Sequence, residues 1–247
     1  MSKVSLDILL VERAIASDKK EAQGLILSGV VLVDDIPIDK IGAKVSLDSS
    51  IRIKGVRSKY VSRGGDKLIG AIKDFSITSA ISNRICLDLG SSTGGFTDCL
   101  LQEGAAKVYA VDVGTAQLAD KLRKDTRVVI YEKTHAQDIP LLKFNPRPTL
   151  AVIDVSFISL CRVLPFVDQV IDNSSEILAL IKPQFELTRN EIEAGGIVSC
   201  YESQEKAIEL VRQLLKELNY EILGVHPSRV KGQKKGNQEY FIYAKKL

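Results

Sequence analysis

One stretch constrains the fold of this 247-residue chain more than any other, the segment LDLGSSTGGFTDCLL at residues 87–101. An apolar run typical of a strand leads into a turn of small residues, and a run typical of a helix follows. In open parallel sheets, turns of this kind lie at the carboxyl ends of strands and bind ligands there. The turn alone does not say whether the ligand is a nucleotide, a dinucleotide or a methyl donor.

Short apolar runs alternate with helix-length segments through most of the chain. The predicted strands are RICLDLG, KVYAVDVG, VVIYE, TLAVIDVSF and EILALIKPQF, with a last strand in NQEYFIYAKK. Residues 66–75 and 203–219 predict helices, and the second of these is clearly amphipathic. This alternation predicts an α/β fold with a Rossmann-like, mostly parallel sheet and helices on both faces.

The first quarter of the chain has a different pattern. Residues 5–15 and 17–29 predict two helices, and residues 30–55 predict short strands of one small sheet. The polar, glycine-rich stretch RSKYVSRGGD, residues 57–66, indicates a joint. We therefore predict a small α+β domain at residues 1–58, a linker at 59–64 and a second domain at 65–247.

Composition narrows the class of protein. The formal net charge is +3, and residues 1–63 carry all of it, with 11 Lys and Arg against 8 Asp and Glu. A surface that meets phosphates or an ordinary solvated face would explain this excess. The cysteines form no C-x-x-C pair and the two histidines lie far apart, so we predict no disulfide or metal site. We find neither a signal peptide nor an apolar run of membrane-spanning length, and we expect a cytoplasmic protein.

The turn at residues 90–95 differs from a dinucleotide-binding turn. That turn has the pattern G-x-G-x-x-G, whereas Ser92 stands here at the second glycine and Asp88 lies where it would repel a pyrophosphate. S-adenosylmethionine carries an ammonium and a sulfonium, which Asp88 would attract. We expect Asp112 to accept its ribose hydroxyls and Asp138 to bind its adenine amino group, although both could be solvated loop residues. The predicted cofactor-binding residues are Asp88, Gly90, Ser91, Ser92, Thr93, Gly94, Gly95, Phe96, Asp112 and Asp138.

Seven stretches spread over nearly the whole chain carry a family resemblance. They are DILLVERAIASDKKEAQGLILSGVVLVDD, KYVSRGGDKL, LDLGSSTGGFTDCLL, VIDVSFISL, LIKPQFE, AGGIV and KGNQEYF. In this order they resemble the TlyA family of bacterial ribosomal RNA 2′-O-methyltransferases, some of which are called hemolysins. The second part is similar to FtsJ-like ribose methyltransferases, and the first part to the RNA-binding domain named after ribosomal small-subunit protein four. The stretch YEKTHAQDI departs from the family pattern at His135 and Gln137.

The resemblance implies a class I methyltransferase that uses S-adenosylmethionine to methylate the 2′-hydroxyl of a cytidine in ribosomal RNA. The target would lie in the large subunit, with the small subunit as a second candidate. We expect a monomer that needs neither metal nor membrane. Two other functions stay open: a non-catalytic RNA-binding or ribosome assembly factor and, ranked last, a membrane-active hemolysin.

A catalytic set of two lysines and two acids is also implied by the resemblance. Its members are Lys67 in GGDKL, Asp154 in VIDVS, Lys182 in IKPQF and Glu239 in GNQEY. A ribose hydroxyl must give up its proton as it attacks, and two neighbouring amines disfavour each other's charge, which prepares one of them as a base. We expect Lys182 to be this base and Lys67 to stay charged, while the acids balance the cluster.

Basic residues in three places are expected to bind RNA through phosphate contacts. Arg13, Lys19 and Lys20 surround the start of the second predicted helix, and Arg63 lies at the joint. The segment SRVKGQKKGN, residues 228–237, adds Arg229 and Lys234, with a solvated lysine loop as the alternative. The run from Asp154 to Phe157 lacks the prolines typical of amino-group methyltransferases, and we interpret Phe157 as a core residue without a role.

Overall fold

The computed structural model describes residues 3–13, 15–54, 58–230 and 237–247. The chain forms two compact units, Met1–Arg57 and Ser58–Leu247. Residues 59–64, the predicted linker, lie within the larger unit, where Tyr60 is buried and a helix begins at Arg63.

The smaller unit combines two helices with short strands. In chain order its elements are β1 (Lys3–Ser5), α1 (Leu6–Glu12), α2 (Lys19–Leu27), β2 (Val31–Val33), β3 (Ile36–Pro37), β4 (Lys44–Ser46) and β5 (Ile51–Ile53). The strands form two small sheets, β1 with β4 and β3 with β2 and β5, where the sequence predicted one sheet. Helix α2 begins at Lys19 because the Asp18 carboxylate accepts the Glu21 N–H at 2.8 Å. Leu6, Leu10 and Ile26 are fully buried in the core of this unit.

The larger unit is an α/β domain. Its strands are β6 (Ile85–Leu89), β7 (Lys107–Val111), β8 (Val128–Tyr131), β9 (Leu150–Ile153), β10 (Glu176–Ile181), β11 (Tyr220–Pro227) and β12 (Tyr240–Lys246). Its α-helices are α3 (Arg63–Asp74), α4 (Gly95–Gln102), α5 (Asp120–Arg123), α6 (Leu160–Val170), α7 (Pro183–Glu186) and α8 (Tyr201–Glu217), with 3-10 helices at Thr78–Ala80, Ala136–Leu141 and Arg189–Glu191. The sequence did not predict β11, which lies at the sheet edge with half of its residues exposed.

These strands form one sheet in the order β11-β12-β10-β9-β6-β7-β8. The five strands from β8 to β10 are parallel, while β12 runs antiparallel to both β10 and β11. The direction in which successive strands are added reverses between β6 and β9. In open α/β sheets this switch point marks the ligand crevice, at the carboxyl ends of the strands.

Two strands end earlier than the sequence predicted. Strand β9 ends at Ile153 and β10 at Ile181, so the polar residues that follow them are loop residues at the ligand-binding edge. Pro183 explains the second boundary: it has no N–H for the sheet, and it occupies the first position of α7.

Apolar residues cover both faces of the sheet. Alternate strand residues point to opposite faces, so Cys86 and Leu87 belong to different cores. One core packs the strands against α3, α4 and α5, and the other packs them against α6 and α8. The predicted fold class, a mostly parallel sheet covered on both faces, is confirmed.

Gly90 allows the turn after β6 to lie close to the loop after β9. Its φ is 85°, and a Cβ atom there would lie 2.5 Å from the Asp154 carbonyl oxygen. We expect Gly90→Ala to lower the free energy of unfolding by about 2 kcal/mol or more, since both the left-handed backbone and the close contact oppose a side chain. Urea unfolding followed by circular dichroism measures this.

Gly70→Ala is the matched control within the same unit. Gly70 lies inside α3, and a Cβ there would meet only Arg229 side-chain atoms, the closest at 3.4 Å. We expect a change within about 1 kcal/mol, since alanine is the better helix former. Equal losses in both variants would contradict the role given to Gly90.

Candidate active site

Two cavities open at the carboxyl ends of the strands around the switch point. The smaller has a volume of 490 Å³, and Lys67, Lys182 and Glu239 are among the residues that line it. The larger has a volume of 880 Å³ and more apolar walls, which include Val113, Ala136 and Phe166. The residues that line both cavities are Gly90, Ser92, Asp154, Ser156 and Phe157. The cavities therefore meet where the turn after β6 approaches the loop after β9.

The four predicted catalytic residues form two ion pairs in the smaller cavity. Lys67 Nζ lies 2.5 Å from Glu239 Oε2, and Lys182 Nζ lies 2.6 Å from Asp154 Oδ1. The two lysine side chains are 12% and 9% exposed, so neither amine is a freely solvated surface charge. Two ammonium groups and two carboxylates carry balanced formal charges. Buried charges persist only when they are paired in this way.

Three elements bring Lys67 and Glu239 together. Lys67 lies in the first turns of α3, which begins where Ser62 accepts the Gly64 N–H. The segment before α3 is held against α4 because the Asp98 carboxylate accepts the Val61 N–H at 2.8 Å. Glu239 directly precedes β12, and its carbonyl oxygen accepts the Ser228 N–H at 2.7 Å.

Ser156 is a site residue that sequence reasoning missed. Lys182 Nζ donates a hydrogen bond of 2.8 Å to Ser156 Oγ. Ser156 follows Asp154 by two positions, so the loop after β9 supplies both contacts to Lys182. The signal was present in the quoted motif VIDVS, in which a hydroxyl follows the acid at this spacing.

The interpretation of Phe157 as a core residue is wrong. Its side chain is 83% exposed, and its φ of 65° lies in the left-handed region. Its ring centroid lies 5.4 Å from that of Phe185, which also lines the smaller cavity. A left-handed non-glycine residue costs on the order of 1 kcal/mol or more, and such residues cluster at functional sites. An exposed ring held in this way at a cavity indicates a binding surface.

The turn after β6 supplies most of the predicted cofactor-binding residues. Six of them line the smaller cavity: Gly90, Ser91, Ser92, Thr93, Gly95 and Phe96. Asp112 lines the larger cavity, and its two oxygens accept the Ser92 N–H at 2.8 Å and the Gly114 N–H at 2.7 Å. Gly94 packs instead against Leu122, since a Cβ there would lie 2.2 Å from its side chain.

Two further predicted cofactor residues, Asp88 and Asp138, also line neither cavity. Asp88 is completely buried, and its Oδ2 accepts a 2.5 Å hydrogen bond from Thr97. Burial raises the pKa of Asp88 to about 7; the charge of Asp154 acts in the same direction, and the Thr97 hydrogen bond opposes it. Asp138 lies in the 3-10 helix Ala136–Leu141, of which Ala136 and Gln137 line the larger cavity. His135 lines this cavity too.

Several residues predicted to bind RNA have partners within the protein. Arg13 donates to the Ser49 carbonyl at 2.6 Å and also to that of Leu47. Arg229 pairs with Asp74 through two 3.1 Å hydrogen bonds from its Nε and a further contact. Lys19 Nζ lies 3.7 Å from Asp7 Oδ2, and Lys20 is exposed. Arg63 lines the smaller cavity. Lys234 lies outside the described residues.

The cysteines Cys86, Cys99, Cys161 and Cys200 are free thiols. Burial raises the pKa of the Cys161 thiol, which lines the larger cavity, to about 11. Within the residues that the structure describes, no cluster of three or more His, Cys, Asp and Glu side chains could hold a metal ion.

The strand order, the glycine turn after β6 and the crevice at the switch point define a class I methyltransferase fold. The chain belongs to the FtsJ-like methyltransferase family, whose family model matches residues 60–246. Within this family it belongs to the TlyA group. The predicted family is thereby confirmed.

Two relatives and one solved structure illustrate the match. The Mycobacterium tuberculosis protein named 16S/23S rRNA (cytidine-2′-O)-methyltransferase TlyA is 38% identical over 242 residues, which are 98% of this chain and 89% of that protein. Hemolysin A of Brachyspira hyodysenteriae is 39% identical over 239 residues, 96% of this chain and 98% of that protein. A Streptococcus thermophilus structure described as a candidate hemolysin has 36% identity and a TM-score of 0.76, and it covers 100% of this chain and 90% of its own. Across the described ranges, no helix is long and apolar enough to cross a bilayer.

The raised pKa of Asp88 predicts a pH dependence of stability. Between the ordinary carboxyl pKa of 3.8 and about 7, the folded chain keeps a proton that the unfolded chain has lost. Stability therefore falls as pH rises through this window. From pH 5 to pH 8 we expect the free energy of unfolding to fall by roughly 2–3 kcal/mol more in the wild type than in Asp88→Asn. Denaturant unfolding at the two pH values measures the difference, and parallel profiles would contradict it.

Proposed function

We propose that this protein transfers a methyl group from S-adenosylmethionine to the 2′-hydroxyl of a cytidine in ribosomal RNA. The observation that carries the proposal is the pair of lysine–acid contacts in a polar cavity that meets a second, more apolar cavity at the switch point. Two TlyA relatives whose names specify rRNA cytidine-2′-O-methyltransferases support the choice of nucleotide and RNA.

The larger cavity fits the donor. Val113, Ala136 and Phe166 offer apolar walls for an adenine ring, and Asp112 offers carboxylate oxygens to ribose hydroxyls. The left-handed turn at Gly90 lets the backbone after β6 approach the loop after β9 at the wall that the two cavities share. When bound, S-adenosylmethionine supplies an electrophilic methyl group. Since Asp88 lines neither cavity, we assign the direct contacts to Asp112 and the turn.

The smaller cavity suits the acceptor. A ribose hydroxyl attacks well only as it loses its proton, and a nearby base takes that proton. In our proposal Lys182 Nζ first releases to solvent the proton that it carries in the ion pair and then accepts the proton of the ribose hydroxyl, while Asp154 and Ser156 hold the amine in place. Asp154 then balances the ammonium that forms. Lys67, oriented by Glu239, holds the ribose oxygen or an adjacent phosphate.

The pair of exposed Phe157 and half-buried Phe185 suits a nucleobase. Phe157 and Phe185 line the smaller cavity, where the acceptor ribose would lie. Proteins that recognise single-stranded or flipped-out nucleotides stack their bases on aromatic rings. A base resting on Phe157 would hold its ribose toward Lys182, which accounts for a large exposed ring in a strained conformation.

Removing the proposed base tests the reaction. We expect Lys182→Ala to slow methyl transfer from labelled donor to ribosomal RNA by at least about 100-fold, the usual size of a general-base contribution. Lys182→Arg should be equally slow because a guanidinium does not give up its proton in proteins. Lys206→Ala, which alters an exposed lysine paired with Glu191, should keep wild-type rates.

The outcomes separate the parts of the proposal. Full activity in Lys182→Ala would remove Lys182 from the mechanism and leave the methyltransferase intact. Binding of ribosomal RNA by the wild type without any transfer, together with unchanged 2′-O-methylation maps in cells that lack the protein, would instead indicate a non-catalytic assembly factor.

Replacing Phe157 tests the stacking surface. We expect Phe157→Ala to raise the KM for RNA about tenfold or more, since base stacking on an aromatic ring contributes ~1–3 kcal/mol. Phe157→Tyr should retain most of the affinity. Because the ring is 83% exposed, thermal stability should stay near the wild-type value. Tyr201→Ala, at a ring 66% exposed, is the control, and an equal rise in its KM would contradict the assignment.

A further inference from the structure

Glu186 joins the two loops that form the smaller cavity. It ends α7, the single turn that follows Lys182, and its carboxylate contacts the start of α6, which follows Phe157. Ser159 Oγ donates a 2.5 Å hydrogen bond to Glu186 Oε2, and the Leu160 N–H donates one of 2.9 Å to Glu186 Oε1. The loops after β9 and β10 are therefore connected at both ends, by Lys182 near the strands and by Glu186 farther out.

Two side chains cap the start of α6, because Glu186 accepts the Leu160 N–H and Ser159 accepts a different one. Ser159 is the N-cap residue and its own hydroxyl already accepts the Cys161 N–H at 3.0 Å. Glu186 is also partly buried, and burial raises the pKa of its carboxyl while the bonds from Ser159 and Leu160 lower it. Burying a carboxylate is an inefficient way to gain stability, because desolvation offsets much of the attraction. The contacts that cap α6 also hold α7, which belongs to the loop after β10, against the start of α6.

The segment that Glu186 holds carries residues of the site. A helix of one turn is not stable by itself, so α7 depends on contacts outside it. Lys182 comes directly before α7, and Phe185 lies within it, with its ring against Phe157. Loss of the Glu186 contacts would remove one of the restraints on α7, and a shift of α7 would move both the amine and the aromatic pair.

We propose that Glu186 is a positioning residue for methyl transfer, which fixes the loop after β10 against the start of α6 and so sets the places of Lys182 and Phe185. This inference rests on the proposed function. The carboxylate does not touch substrate or cofactor; it acts through the two residues that its loop carries. Small displacements of reacting groups can lower rates by as much as about 100-fold.

A comparison of three variants tests the inference. We expect Glu186→Ala to lower kcat for ribosomal RNA methylation at least tenfold while the dissociation constant for S-adenosylmethionine changes less than threefold. Glu186→Gln should restore kcat to within about threefold of wild type, because its amide can accept the Leu160 N–H and donate to Ser159 Oγ. The cofactor constant comes from calorimetry, so it also shows that each variant is folded.

Glu191→Ala is the matched control. The Glu191 carboxylate accepts hydrogen bonds from the Thr188 hydroxyl at 2.7 Å and from the Thr188 N–H at 3.1 Å. Like Glu186, it therefore accepts one hydroxyl and one backbone N–H, but in an exposed turn. We expect a change in melting temperature but an unchanged kcat. If Glu186→Ala behaves like this control, with kcat retained, Glu186 is structural and the inference is overturned. If the wild type transfers no methyl group, the proposed function fails instead, which is a distinguishable result.

Discussion

The ion pair between Lys182 and Asp154 depends on where two neighbouring strands end. Strands β9 and β10 are parallel and adjacent, so the residues that follow them leave the sheet at the same edge. The 2.6 Å contact between the amine and the carboxylate then connects the loops after β9 and β10, next to the switch point between β6 and β9. The cavities on either side share Asp154 as a wall, which makes this contact the centre of the site.

Much of this arrangement could be predicted from the sequence, because the informative signals are local. The strand–turn–helix pattern around Gly90 and the alternation of apolar runs indicate a switch-point crevice. The family resemblance picked out Lys182 and Asp154, and their places near the ends of predicted apolar strands put both residues at the same edge. Lys67 and Glu239 are different: only the family resemblance related them, since they lie 172 residues apart in the sequence.

The remaining features depend on tertiary contacts that no local pattern encodes. Phe157 has the composition of a core residue, yet a left-handed backbone turns its ring outward. Arg13 has the charge expected of an RNA contact, but the carbonyl groups of a neighbouring loop accept its hydrogen bonds. Asp88 has the position expected of a ligand-binding acid, but it is enclosed beneath the turn and bonded to Thr97. In each case a local sequence pattern does not reveal the backbone conformation or the distant contact that decides where the side chain lies.

The antiparallel strand β12 has a consequence for how the site is assembled. It lies between β10 and β11, and Glu239 directly precedes it. Glu239 therefore reaches Lys67 only after the final strand has entered the interior of the sheet. An unfinished nascent chain, or one that has folded only as far as β10, has Lys67 without its acid partner. Pairing of β12 within the sheet and formation of the Lys67–Glu239 pair are in this way coupled.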